Sequence, residues 1–310
     1  MSMIKFRMNI FLWFVSCLFS LQGLGQGPDI KLQEWQKYPL NFFQVSGERF
    51  FVDTAGFFAA GTIKSSSQQE SDKVENSGVE FSSEYGFTDQ FAGKIQMAYQ
   101  SGSQKNSTST TKIEGLKDVT GLVKWKLTSP VVILIETGIE TSPEALKINA
   151  LSRTVTASSG GTKVVIKGGA QIPHEKFVFG GGASYKHFLQ REMEITSVLG
   201  SETAKIDGGN QITASGFFEF GTGLRTGLEL KWLFQNRSSY ASSALQTTSD
   251  FELEYQQVTT GAYLKIPAGE KIQMYIRGDY NLNPSNKRGS LSYDKDELFE
   301  AKVGLQAVFF

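Results

Sequence analysis

Cysteine is nearly absent from this 310-residue chain: Cys17 is the only one. One thiol excludes an internal disulfide framework and a thiolate metal site. The chain also has only 7 prolines and 2 histidines, and its lysines and arginines balance its acids at 31 each. That neutrality argues against a nucleic-acid partner, which would favour a basic face. Long apolar runs are missing after the first two dozen residues. The longest, Val131 to Ile135, is far too short for the ~20 residues of a spanning helix. No loop carries paired acids at metal-ligand spacing, phosphate-cradling glycines or a cofactor fingerprint, so neither a metal nor a cofactor is expected.

What is present begins with an export signal. Lys5 and Arg7 precede an apolar stretch from Met8 to Leu21, and Gly23 and Gly25 supply small residues before a cleavage point at Gln26. Residues 1–25 are therefore expected to be a signal peptide. Cys17 follows Val15-Ser16 as in a lipoprotein site, but the apolar run continues past it, which favours ordinary cleavage. The mature chain would then hold no cysteine, which suits passage through an oxidising periplasm.

The rest is rich in Gly (32) and Phe (24), as befits strands and tight turns. Its dominant signal is alternation with a period of two. Over Leu224–Arg237, Leu224, Thr226, Leu228, Leu230, Trp232 and Phe234 form one row, and Arg225, Gly227, Glu229, Lys231 and Gln235 the other. Leu233 breaks the second row. In a strand these rows face opposite sides, whereas a helix would scatter the charges all round. The pattern predicts twelve strands near 49–64, 77–87, 91–102, 118–128, 131–141, 162–172, 176–190, 209–220, 224–238, 250–266, 270–283 and 297–309. A phase change at Gln256-Gln257 marks a bulge or an extension beyond the membrane. Short turns at 88–90, 129–130, 173–175, 221–223 and 267–269 alternate with long polar loops at 65–76, 103–117, 142–161, 191–208, 239–249 and 284–296. An even strand count with this rhythm is expected of an all-β, antiparallel up-and-down transmembrane β-barrel spanning residues 49–310. Both chain ends then lie at the periplasmic side.

Three features favour lipid on the apolar row. Aromatics cluster at two levels: Phe87, Phe91, Trp125, Phe177, Phe220 and Phe309 beside short turns, and Tyr99, Tyr185, Trp232, Phe234, Tyr280 and Phe299 toward long loops. Such girdles suit two membrane interfaces. The opposite rows hold Lys94, Lys124, Lys126, Lys163, Lys167, Glu219, Arg225, Glu229, Lys231, Arg277, Asp279, Glu300 and Lys302. A dry core could not hold so many charges, but a wet lumen can. Finally, Ala301, Val303, Leu305, Ala307 and Phe309 form an apolar row at the C-terminus. This resembles the C-terminal signal of bacterial outer-membrane barrels, with Phe310 displacing the in-phase aromatic to the penultimate place. The resemblance implies recognition by the barrel assembly machinery, and contact with outer-membrane lipid and lipopolysaccharide.

Gly115-Leu116-Lys117-Asp118-Val119-Thr120, followed by Lys124-Trp125-Lys126-Leu127, resembles a strand of the outer-membrane transporter family associated with degradation of phenol-like aromatics. That family has Gly-Leu-Gly-Asp here, and Lys117 replaces the second glycine. The resemblance implies a conduit for small, apolar or aromatic molecules. The bland reading is that Gly-Leu-x-Asp only begins a strand.

Twelve strands fall between a filled small barrel and an open porin, so a narrow lumen is expected. Its expected lining includes Lys94, Lys124, Lys126, Lys167, Arg225, Glu229, Lys231, Tyr275, Arg277 and Asp279, with Tyr263 on the same side. Basic residues concentrate on the third to ninth strands, and Glu80, Glu84, Glu252 and Glu254 on the others. Such segregation either orients a passing polar solute or builds an ion-pair lattice that plugs the lumen. Residues 26–48, with Trp35, Tyr38, Phe42 and Phe43, are expected to form a periplasmic N-terminal segment, with a partial plug, common in the transporters resembled, as the alternative. The expected role is passive passage of a small solute, with a plugged structural or surface-binding barrel as alternative. An outer-membrane lipid hydrolase would need a serine beside His187, but Ser184 falls on the other row. No enzyme is expected.

Overall fold

Twelve long strands close into an antiparallel ring in the computed structural model. The structure describes residues 32–40, 47–65, 71–128, 131–174, 176–198, 200–235, 239–240, 253–288 and 291–309. The expected signal peptide, Phe42, Phe43, the 129–130 turn and most of the 239–249 loop lie outside these residues.

The barrel strands are β1 (Phe50–Ser65), β2 (Asp72–Gly86), β3 (Phe91–Lys105), β4 (Val119–Thr128), β5 (Val132–Thr141), β6 (Thr162–Pro173), β7 (Phe177–Phe188), β8 (Asn210–Phe220), β9 (Arg225–Gln235), β10 (Leu253–Pro267), β11 (Ile272–Arg288) and β12 (Leu291–Phe309). Each pairs with its sequence neighbours, and β1 pairs with β12 from Phe50↔Phe309 to Lys64↔Lys295. Closure satisfies every edge, which hydrocarbon demands because it offers the backbone no partner. The phase change in β10 is a register shift between Gln256 and Val258.

Burial alternates along the strands. The outward row is apolar and open: Val79, Ile139 and Leu230 are 53%, 53% and 58% exposed. In water such a belt would be costly; in lipid it is matched. Phe91 stacks on Trp125, Phe177 on Phe218, and Trp232 on Phe234 along this face. Tyr99 and Phe309 share it, while Phe220 and Tyr280, also on the outward row, are half-buried.

The long connections depart from the expectation of plain polar loops. Strand Thr110–Leu116 folds back on upper β3 and pairs in parallel with Thr154–Thr156. Leu146–Asn149 pairs in parallel with Arg191–Ser197, which pairs with Gly200–Asp207, which meets Ser239–Tyr240. These short strands form an arc along the long-loop rim. Met193, Ile195, Ala204 and Ile206 are its buried core, with Leu146 and Ile148 packed alongside. The 284–296 loop is likewise mostly strand, because β11 and β12 continue their pairing up to Arg288↔Leu291. Polar sequence hides much of this pairing: the rim strands are short, and only Met193, Ile195, Ala204 and Ile206 mark a buried face.

At the short-turn end, residues 32–40 enter the barrel mouth instead of trailing away. A 3-10 turn, Glu34–Lys37, buries Trp35 against Phe51 and Val308. Trp35 Nε1 donates to the Glu270 carbonyl at 3.0 Å, and Gln36 Nε2 to the Gly269 carbonyl at 2.7 Å.

Candidate functional site: the lumen

Inside the ring, bulky side chains lie flat because glycines face them. Tyr263 pairs with Gly227, Tyr275 with Gly304, Phe217 with Gly180 and Phe57 with Gly78. Each ring covers its glycine so closely that a Cβ at Gly227 or Gly304 would fall 2.0 or 2.2 Å from the tyrosine Cζ. This recurring pair holds aromatics against the wall and aims their hydroxyls. Tyr263 donates to Glu219 at 2.7 Å, and Tyr275 to Asp53 at 3.1 Å.

The charges form clusters. Lys124 bridges Glu84 at 2.7 Å and Glu136 at 3.6 Å, and Lys167 reaches Glu136 at 3.4 Å. Arg277 joins Glu229 and Asp279, each at 2.6 Å. Lys302 joins Glu80 at 2.9 Å and Glu300 at 3.0 Å. Near the short turns, Glu219 holds Arg225 at 2.6 Å and Lys265 at 2.8 Å. Lys265 also donates to the carbonyls of Gln36 at 3.0 Å and Tyr38 at 2.7 Å, so it fastens the N-terminal segment.

A cavity of about 670 Å³ remains within this lattice. Of the residues expected to line a lumen, Lys94, Lys124, Lys167, Glu229, Lys231, Tyr275, Arg277 and Asp279 do line it. Lys126 and Arg225 belong to the inward row but sit toward the short turns, outside the cavity wall. Leu233, the exception in the alternating row, is part of the wall, as is Leu40 of the N-terminal segment. Glu252 lies outside the described residues, as does the side chain of Glu254.

Sequence reading missed Asp53, Glu136 and Lys186, which also line it. Their strands mask them: the inward row around Asp53 holds Phe51, Ala55 and Phe57, and Glu136 follows the apolar run Val131–Ile135. Lys186 stands at the end of the Gly-rich β7, and binds Glu140 at 2.7 Å.

At the long-loop rim, the Gly-Leu-x-Asp motif serves as a clamp. Gly115 has φ of +134°, open to glycine but rarely to other residues. Asp118 accepts from Ser142 Oγ at 2.5 Å, from the Ser159 amide at 3.0 Å, and from the Ser159 hydroxyl and Lys163. Burial alone would raise its carboxyl pKa; Lys163 and the two serines outweigh burial and hold it at about 2. Lys117, beside it, places its ammonium over the Phe57 ring at 5.4 Å.

His187 faces outward and meets Asn210 Oδ1 through Nδ1 at 2.8 Å, while Ser184 lines the lumen. The two therefore do not form a nucleophile and base. Among the described residues no group of three or more His, Cys, Asp or Glu could hold a metal ion.

No family model matches the chain, and no curated relative does. Solved structures do match. An outer membrane channel from Pseudomonas putida F1 has a TM-score of 0.61 at 12% identity, covering 88% of this chain and 99% of that one. The NanC porin has a TM-score of 0.44 at 11% identity, over 83% of this chain and 98% of that one. The TodX monoaromatic hydrocarbon channel has a TM-score of 0.44 at 8% identity, over 86% and 92%. At these identities the likeness is one of fold, and the fold is the twelve-stranded outer-membrane barrel that closure, apolar exterior and charged interior describe.

Proposed function

We propose that the protein is an outer-membrane channel for passive passage of small solutes. The observation that carries this reading is the charged cavity of about 670 Å³ inside a barrel whose exterior is apolar. Water and small polar molecules fit such a lumen, because ionised walls replace hydration that a dry core would strip away. The match to the Pseudomonas putida channel supports the reading at the level of architecture. An aromatic cargo, which the short resemblance implies, would meet chiefly Leu40, Phe51, Leu134, Leu233 and Leu298 as its apolar wall. Polar solutes suit the lining better. The exterior would meet lipid and lipopolysaccharide, and β12 would present the assembly signal to the barrel assembly machinery.

A plugged, surface-binding barrel is the second reading. It is favoured by Trp35 and Gln36, which occupy the short-turn mouth. Single-channel recording of the purified protein in planar bilayers, with solute efflux from proteoliposomes, separates the two. Conducting steps and solute release are expected. Silent bilayers together with retained solute would reject the channel and leave the surface-binding barrel.

A further inference from the structure

The cavity wall is divided by charge. On the β3–β7 side it presents Lys94, Lys124, Lys167 and Lys186 against Glu136. On the side formed by β9, β11, β12, β1 and β2 it presents Glu229, Asp279, Glu300, Asp53 and Glu80 against Lys231, Arg277 and Lys302. One half-wall is therefore net basic and the other net acidic. Opposed walls of this kind set a field across the lumen, and low-dielectric surroundings focus it.

Most of these charges have a close partner of opposite sign; among the described residues Lys94, Lys231 and Asp53 do not. Lys94 pairs across strands with Glu84 and Leu122, yet the Glu84 carboxylate is taken by Lys124 at 2.7 Å. Lys94 closes no ion pair among the described residues, although its charge acts on both Asp53 and Glu136. Asp53 is held only by neutral donors, Tyr275 at 3.1 Å and Gln306 at 2.9 Å. Both donors are themselves fixed: Gly304 seats the Tyr275 ring, and Gln273 Nε2 donates to Gln306 Oε1 at 2.5 Å. Asp53 and Lys94 line the same cavity, separated by β2, with Ser82 and Gln96 also in the wall. Asp53, fixed by neutral donors, and the neighbouring Lys94, which closes no ion pair, thus present an anion and a cation to one water-accessible space.

We infer that the solute class this lumen favours is a small zwitterion, carrying its carboxylate toward Lys94 and its ammonium toward Asp53. The inference rests on the channel reading above and deepens it. A lone anion gains at Lys94 but is repelled by the acidic half-wall. A lone cation meets the opposite conflict, and a neutral solute gains at neither. Only a molecule with both charges gains at both, and the transverse field aligns it.

The test uses the full processed protein in proteoliposomes, with salt equal on both sides. Efflux of labelled β-alanine, lactamide, propionate and propylammonium is compared, these being similar in size. β-Alanine is expected to leave roughly two- to fivefold faster than lactamide, the gain that screened charge pairs provide. Lys94→Gln and Asp53→Asn should each remove that gain. Lys94→Gln should slow propionate relative to propylammonium, and Asp53→Asn should do the reverse. Retained heat-modifiable migration in gels shows that both variants still fold. If lactamide crosses but β-alanine gains nothing over it, or both folded variants keep the gain, the zwitterion inference is overturned and the channel stands. If no solute leaves faster than from protein-free liposomes, the channel reading falls and the inference with it.

Discussion

At the scale of single residues, the lumen is organised by glycines as much as by charges. Gly227 has no side chain because the Tyr263 ring occupies the space where one would go. Gly227→Ala must push that ring aside and break its hydrogen bond to Glu219. The expected cost is about 1–3 kcal/mol, as for overpacked cores. Gly121 provides the control: nothing lies within 4 Å of a Cβ built there. Gly121→Ala should change stability by less than about 0.5 kcal/mol. Urea unfolding of both variants in lipid vesicles checks the pair, and equal midpoints would contradict the seating role. None of this was legible in sequence, where Gly227 is simply the small member of the polar row. The lining lysines on β3, β4, β6 and β9 were legible because each alternates with an apolar neighbour. Asp53, framed by Phe50, Phe51, Phe57 and Phe58, gave no such contrast.

Among the elements, strand existence followed from periodicity, since lipid on one side and water on the other impose opposite chemistry on alternate residues. The short strands at the long-loop rim were not legible in sequence because they are brief and their apolar alternation is confined to a few residues such as Met193 and Ile195. Asp118 ties this region to the barrel through Ser142, Ser159 and Lys163. Its carboxyl stands at about 2 when folded, against an ordinary value of 3.8. A depressed acid stabilises fully above its unfolded value, and the contribution disappears as pH falls through the folded one. The rim arc should therefore keep its protease resistance through pH 4 and lose part of it toward about pH 2. Asp118→Asn should show the loosened state already at neutral pH, with a loss of roughly 1.5–3 kcal/mol, typical of hydrogen bonds to a charged group. Limited proteolysis with an acid-active and a neutral protease reads both. Identical cleavage of variant and wild type would show that the clamp has no role in holding the arc.

For the whole molecule, the closed cylinder was legible, but the fate of its N-terminal lead was not. Trp35 and Tyr38 make that stretch only mildly amphipathic, which in sequence favours a periplasmic lead over a plug. What decides is a tertiary contact: Lys265, already bonded to Glu219, reaches the carbonyls of Gln36 and Tyr38. Deleting residues 32–40 removes Trp35 from the mouth and Leu40 from the cavity wall. Single-channel conductance should rise in the deletion variant, while strand content by circular dichroism stays constant. Unchanged conductance would mean that the narrowest point lies elsewhere.

The pairing of the first strand with the last has a further consequence. Phe50 lies beside Phe309, so the seam between the two extremities of the barrel is sewn along its full height. Until the last strand, Leu291–Phe309, is seated, two ragged margins stay open, each able to zip onto a stranger. Closure is thus the concluding step of assembly, and an unfinished barrel of this design needs shelter up to its last stitch.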